Sequence, residues 1–384
     1  MKKKLLMLII IIALLAGSGC GLLNYNGSTT ENFDASYHVQ MMLAVQEENL
    51  RIPAIINAMS TEEKVAQLFI ARFPAAEHLT LAQDYQPGGF IFFAADFADR
   101  DPASFLALVQ QCNEVAKIPL LLGVDEEGGT VNRISRYSQY RELPFPSPQD
   151  LYQTGGLEAV QADTTEKCQL LKSLGLNLNF APVCDISTNA GDYIYYRTTG
   201  LGAAETSEYV TCVVETMKQE NIGSVLKHFP GYGNNSDTHS GIAHDSRSYE
   251  SFQTNDFLPF AAGIEAGASM VLVSHNIVAS MDQTMPASLS AAVHDILRNE
   301  LGFNGVAITD DLVMGAIKQY TGNTPPAVAA IEAGNDMICT SDFLTHYNQL
   351  LQAVNNGRIS EARLAESLYR IICLKENLGL LPLQ

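Results

Sequence analysis

The segment Lys227-His228-Phe229-Pro230-Gly231-Tyr232-Gly233 runs on through Asp237-Thr238-His239-Ser240-Gly241, so that three of the chain's eight histidines (His228, His239, His244) fall within 17 residues. Its glycines and proline mark a loop able to bring backbone close to a ligand. Asp237 and His239 stand two residues apart. The carboxylate can accept from one ring nitrogen, orient the imidazole and raise its basicity, leaving the other nitrogen to give or take a proton. The same spacing also suits a plain surface turn closed by an Asx bond.

A second segment, Gly305-Val306-Ala307-Ile308-Thr309-Asp310-Asp311-Leu312, is an apolar run ending in adjacent acids. It suits a carboxylate nucleophile, a metal site, or an Asp capping the next helix. A third runs from Gly123 through Asp125-Glu126-Glu127-Gly128-Gly129-Thr130 to Arg133. Its paired glycines are no phosphate loop, because the G-x-x-x-x-G-K-[ST] pattern is missing. Tyr196-Arg197-Thr198-Thr199-Gly200 forms a fourth. Asp125, Asp185, His228, His275 and Asp310 each close an apolar run. One polar residue in such a place is ordinarily a cap or turn former. Five on separate strands fit a site assembled at one end of a parallel sheet.

The elements that must position these groups follow a repeating grammar. Short apolar runs at Gln67–Arg72, Gly89–Ala94, Leu120–Asp125, Leu178–Val183, Ser224–His228, Met270–His275, Val306–Asp310 and Met337–Thr340 read as strands covered on both faces. Helical patterns at Pro102–Ala116, Thr164–Ser173, Ala203–Gln219, Asp256–Ala266, Ala291–Leu301 and Leu364–Lys375 lie between or after them, and Ser60-Thr61-Glu62-Glu63 opens a helix with a capping box. Eight strand runs in strand–helix alternation predict a single (β/α)8 TIM-like barrel domain.

Composition narrows the partners. The 384 residues carry 23 Lys+Arg against 42 Asp+Glu, a net charge of −19, and 47% are hydrophobic. A large core is available, and no nucleic acid is expected on so acidic a surface. Cys112, Cys168, Cys184, Cys212, Cys339 and Cys373 lie singly in apolar segments and read as buried small hydrophobes rather than disulfides or metal ligands. His38, His78, His294 and His346 have no catalytic neighbourhood and read as surface or capping residues.

At the N-terminus, Met1-Lys2-Lys3-Lys4 precedes the apolar run Leu5–Ala16 and the small residues Gly17-Ser18-Gly19, with Cys20 next. This is the layout of a secretory signal, and the placing of Cys20 resembles a bacterial lipoprotein signal. The expected organisation is a signal peptide over 1–19, a lipidated Cys20 with a polar tether over 20–45, and the barrel over 46–384. An uncleaved signal anchor is the alternative; either way an enzyme outside the cytoplasm of a bacterium, held at a membrane surface, is expected.

Taken together, Lys-His-Phe-Pro-Gly with Asp-x-His, Thr-Asp-Asp-Leu after a strand, and the earlier Asp-x-Glu-Gly-Gly resemble glycoside hydrolase family 3. The likeness is strongest to its β-N-acetylhexosaminidases. It spans about Ile52 to Leu381 and includes Ala181-Pro182-Val183, the run from Leu297 to Phe303, and the run from Ile331 to Met337. Tyr232 and Thr130 depart from residues frequent in the family. The resemblance implies that Asp310 is the nucleophile and that His239, paired with Asp237, is the acid/base. It makes Asp125, Arg133, Arg197, Lys227 and His228 the groups that hold the sugar, requires no cofactor or metal, and implies a substrate ending in β-linked N-acetylglucosamine, such as a peptidoglycan-derived glycan.

Retaining glycosidases normally use two carboxyl groups around an oxocarbenium-like transition state. An imidazole with an ordinary pKa of about 6.5 can replace the acid without strong desolvation. Other chemistries stay open on the residues alone: a family 3 β-glucosidase, a phosphorylase, a zinc hydrolase using His228, His239, His244, Asp237 and Asp310, or a sugar-binding lipoprotein without turnover.

Overall fold

Strand residues here are short and apolar because both faces are covered. Gly89–Phe92 (β2), Leu121–Val124 (β3), Met270–Val273 (β7) and Val306–Thr309 (β9) are buried at every position. The computed structural model describes residues 51–235, 243–313, 317 and 320–381. The signal, tether and Cys20 therefore lie outside the described residues, as do Asp237 and His239.

Phe69–Arg72 (β1), β2, β3, Leu178–Asn179 (β4), Gly223–Phe229 (β5), β7, β9 and Ile338–Thr340 (β10) form one eight-stranded sheet in the order β10-β1-β2-β3-β4-β5-β7-β9. Every neighbouring pair is parallel, with Ala71 opposite Phe90, Ile91 opposite Gly123, Val124 opposite Asn179 and Val273 opposite Thr309. A parallel bridge between Ile308 and Met337 joins the two ends and closes the ring. All eight expected strands are present, alternating with helices around a single apolar core cluster, and the fold is the expected (β/α)8 barrel.

The differences have local causes. The fourth strand is two residues long instead of six, because the Ala181 N–H turns back to the Asn179 carbonyl at 2.8 Å, although pairing resumes where Val183 bridges Lys227. A two-residue parallel pair, His244–Asp245 (β6) with Ile277–Val278 (β8), was not expected from the sequence and sits above the barrel strands. The expected helix at Thr164–Ser173 begins at Pro148, capped by Ser147, and is kinked at Gly156, where φ is 59°. The expected helix at Ala291–Leu301 ends at Asp295 and continues as a π turn over Ile296–Glu300.

Two of the histidines read as surface or capping residues are buried. His294 is 3% and His346 5% exposed, each anchored through Nδ1, to the Ser290 carbonyl at 2.8 Å and the Thr340 hydroxyl at 2.8 Å. Of the six cysteines, all free, four are buried, while Cys212 and Cys373 are partly exposed. The N-terminal end of the barrel is braced by charge. Asp336 accepts from Arg298, Arg370 and Ser367, so the Ile331–Met337 motif is structural in this chain. Lys375, fully buried, donates to Gln67 Oε1 at 2.7 Å.

Candidate active site

Chain leaving β3 stays extended, which puts Asp125 and Glu127 on one side and Glu126 on the other. The buried Glu126 carboxylate accepts the backbone N–H groups of Arg133, Ile134 and Ser135 at 2.8, 2.7 and 3.1 Å. The chain returns through Gly128 and Gly129, whose φ values of 102° and 62° favour glycine. A Cβ on Gly128 would stand 2.2 Å from the Pro146 carbonyl. This turn carries Arg133 back over Asp125, where Nη2 lies 3.9 Å from Oδ2.

From β5, Lys227 reaches under the same turn. Its ammonium is 2.7 Å from Asp125 Oδ1 and 2.6 Å from Glu127 Oε1, with a side chain 2% exposed. Arg197, from the loop after β4, meets Glu127 with two parallel bonds of 3.0 and 2.8 Å. Burial alone would raise the Glu127 carboxyl, but Arg197 and Lys227 beside it hold it far below the usual carboxylate range. Arg197 Nη2 also lies 3.1 Å from His228 Nε2, while His228 Nδ1 lies 2.7 Å from Asp185 Oδ2. A guanidinium only donates, so Nε2 accepts and the Nδ1 proton goes to Asp185. The His228 ring is thereby held in a fixed orientation between Arg197 and Asp185. Asp185 also accepts the backbone N–H groups of His228 and Tyr232, at 3.2 and 2.7 Å.

On the far wall, Asp310 follows β9 directly, and its Oδ1 accepts the Asp311 N–H at 2.8 Å. Asp311 is tied to the end of β10 through the Ser341 N–H at 3.0 Å and the Ser341 hydroxyl. His275, past the end of β7 and fully buried, lies 3.2 Å through Nε2 from the Asp311 carbonyl and 2.7 Å through Nδ1 from the Ser288 hydroxyl.

Asp125, Arg133, Arg197, Lys227, His228 and Asp310 all line one cavity of about 600 Å3 at the C-terminal end of the barrel. The structure therefore brings together every sugar-holding candidate with the candidate nucleophile. Asp185 and His275 stand behind the lining. Sequence reasoning passed over Glu127, whose i, i+2 spacing from Asp125 in an extended segment was the available signal, and the rim residues Tyr193 and Tyr196. A wider hollow of about 780 Å3 at the opposite end is lined by no carboxylate and no imidazole. Among the described residues, no three His, Cys, Asp or Glu side chains are gathered as a metal ion requires.

The residues flanking 236–242 are pinned to one another. Asn235 Nδ2 donates to Asp245 Oδ2 at 2.7 Å. Arg247 bridges Asp245, Asp256 and the Gly231 carbonyl, at 2.7, 2.8 and 3.1 Å.

Known proteins agree with this architecture. The family model described as the glycosyl hydrolase family 3 N terminal domain matches residues 60–374. The chain belongs to glycoside hydrolase family 3. It is accordingly a glycoside hydrolase with the family's barrel. A β-hexosaminidase of Nitrosomonas eutropha is 31% identical over 305 residues, spanning 75% of this chain and 85% of that protein. A β-hexosaminidase of Xylella fastidiosa is 33% identical over 301 residues, covering 76% and 86%. Among solved structures, a family 3 β-N-acetylglucosaminidase from a Paenibacillus species superposes with a TM-score of 0.77 at 29% identity, covering 85% of this chain. This chain spans 65% of the length of that protein.

Proposed function

We propose that this family 3 enzyme is a retaining, exo-acting β-N-acetylhexosaminidase that removes terminal β-linked N-acetylglucosamine from peptidoglycan-derived or related glycans. The observation that carries the reading is one cavity in which Asp310 shares space with the Asp125, Glu127, Lys227, Arg197 and His228 cluster. The names of the relatives support the choice of sugar.

In this reading Asp310 attacks the anomeric carbon as the bond to the leaving oxygen breaks, forming a glycosyl ester. His239 on the glycine-rich loop, oriented by Asp237, gives its proton to the departing oxygen. It then takes a proton from the water that cleaves the ester and restores Asp310. Lys227, Arg133, Arg197, Asp125 and His228 hold the sugar hydroxyls. Held by ion pairs and hydrogen bonds to one another, they are set before the substrate arrives, which lowers the ordering cost in the transition state.

Release of 4-nitrophenol from 4-nitrophenyl N-acetyl-β-glucosaminide is the direct test. Turnover that exceeds that of the β-glucoside by orders of magnitude supports the reading, and a preference for the glucoside overturns the choice of sugar. The Met1–Cys20 pattern supports lipid anchoring at Cys20 outside the cytoplasm. Metabolic labelling with a fatty acid, lost in Cys20→Ala, tests it, and unlabelled wild-type protein contradicts it.

A further inference from the structure

The loop after β4 places two large aromatic side chains at the mouth of the cavity and leaves both open to solvent. Tyr193 is 41% and Tyr196 57% exposed, and both line the cavity. The only other tyrosine among the large exposed side chains of the described residues is Tyr369, which lines the hollow at the opposite end. Exposure here does not come from a loose loop. Ile194 is fully buried between the two tyrosines, and Arg197, next to Tyr196, is locked to Glu127. Ser187 Oγ donates to Asp192 at 2.7 Å, Tyr195 N donates to the Asp192 carbonyl at 3.2 Å, and Gln149 Nε2 donates to the Tyr195 carbonyl at 2.6 Å.

The rings are also braced from behind. Tyr196 meets Tyr195 edge-on at 5.2 Å between centroids. Tyr193 lies 5.7 Å from Tyr232, which in turn lies edge-on to His228 at 5.6 Å. An aromatic line thus runs from a sugar-holding residue at the cavity floor to its rim. A tyrosine ring has an electron-rich face, which attracts the polarised C–H bonds on the flat side of a pyranose. Its two-angle side chain loses little entropy on stacking.

Resting on the hexosaminidase reading above, we propose that Tyr193 and Tyr196 form the acceptor subsite, a stacking platform for the first sugar ring of the leaving group. The enzyme is then a selector of glycans rather than of small glycosides. The terminal sugar is held by the charged floor, and the next ring is held by the tyrosine rim.

Two substrates that share the cleaved sugar test this in the full-length protein: N,N′-diacetylchitobiose, whose leaving group is a pyranose, and N-acetyl-β-glucosaminyl azide, whose leaving group is too small to reach the rim. Tyr196→Ala is expected to lower kcat/KM for the disaccharide about tenfold, mainly through KM, and to change the azide rate less than twofold. Tyr196→Phe, which keeps the ring, should retain the disaccharide rate, and Tyr193→Ala should act in the same sense as Tyr196→Ala. The azide rate reports a folded site. Equal losses on both substrates, or no loss on the disaccharide, would overturn the platform while leaving the hexosaminidase reading intact. A wild-type enzyme that turns over neither substrate would overturn that reading and the platform with it.

Discussion

Lys227 Nζ and Glu127 Oε1 lie 2.6 Å apart, with both side chains 2% exposed. The pair links the end of β5 to the turn after β3, and Arg197 joins it from the loop after β4. Three segments distant in sequence are therefore held in register by one carboxylate, and the floor of the cavity is fixed as a unit.

Removing that carboxylate's charge takes the ion-pair partner from Arg197 and leaves Lys227 with Asp125 alone. Glu127→Gln is expected to cost about 3 kcal/mol in urea unfolding at pH 7. It should also lower kcat/KM on the order of 100-fold, because Lys227 and Arg197 lose their fixed positions. The Glu127 carboxyl titrates far below the unfolded-chain value of about 4.3. Its stabilisation is complete above that pH and fades as the pH falls toward its own titration. The stability gap between wild type and variant should accordingly shrink below about pH 4. A gap that does not change with pH would contradict this assignment.

In the proposed mechanism, His239→Ala removes the proton donor for the leaving oxygen. Alkyl and sugar leaving groups, which must be protonated, should lose about 10²–10⁴ in kcat. A 4-nitrophenyl leaving group departs as a stabilised anion and should suffer far less in the glycosylation step. Comparable losses on both substrate types would count against the acid role.

Lys375 gives a prediction away from the site. Burial without a carboxylate partner pushes its pKa down to about 7. The unfolded chain, with an ordinary lysine near 10.4, binds more protons than the folded chain between these two values, so folding stability rises with pH across that window. Between pH 7 and 9.5 the rise from this group is about 3 kcal/mol. In Lys375→Met that rise should vanish, as read from urea midpoints at the two pH values. Parallel pH profiles for wild type and variant would rule this out.

The barrel was legible because a parallel strand buried on both faces leaves a plain signature, an unbroken apolar run such as Val306–Ile308 or Leu120–Val124. The location of the site was legible too, since Asp125, His228 and Asp310 each end such a run. Glu127 was not, because an acid within Glu126-Glu127-Gly128-Gly129 looks like turn chemistry until Lys227 and Arg197 arrive from distant segments. His228 drew attention for its motif, yet its partner Asp185 lies 43 positions earlier, beyond the reach of any local pattern. His294 and His346 read as surface or capping residues because their partners, the Ser290 carbonyl and the Thr340 hydroxyl, come together with them only in the fold. The helix from Pro148 was expected only over Thr164–Ser173; its first half carries Gly155-Gly156, a pair of low helix propensity, and kinks at Gly156.

The central claim is that the Asp310 carboxylate forms the bond to the sugar. Mass spectrometry of the enzyme quenched during turnover of a 5-fluoro N-acetylglucosaminide tests this most directly. A mass gain of one sugar residue is expected on the peptide that contains Asp310, absent in Asp310→Asn, with β-configured product in the unmodified reaction. A label on another residue, or no label together with α-configured product, would contradict it.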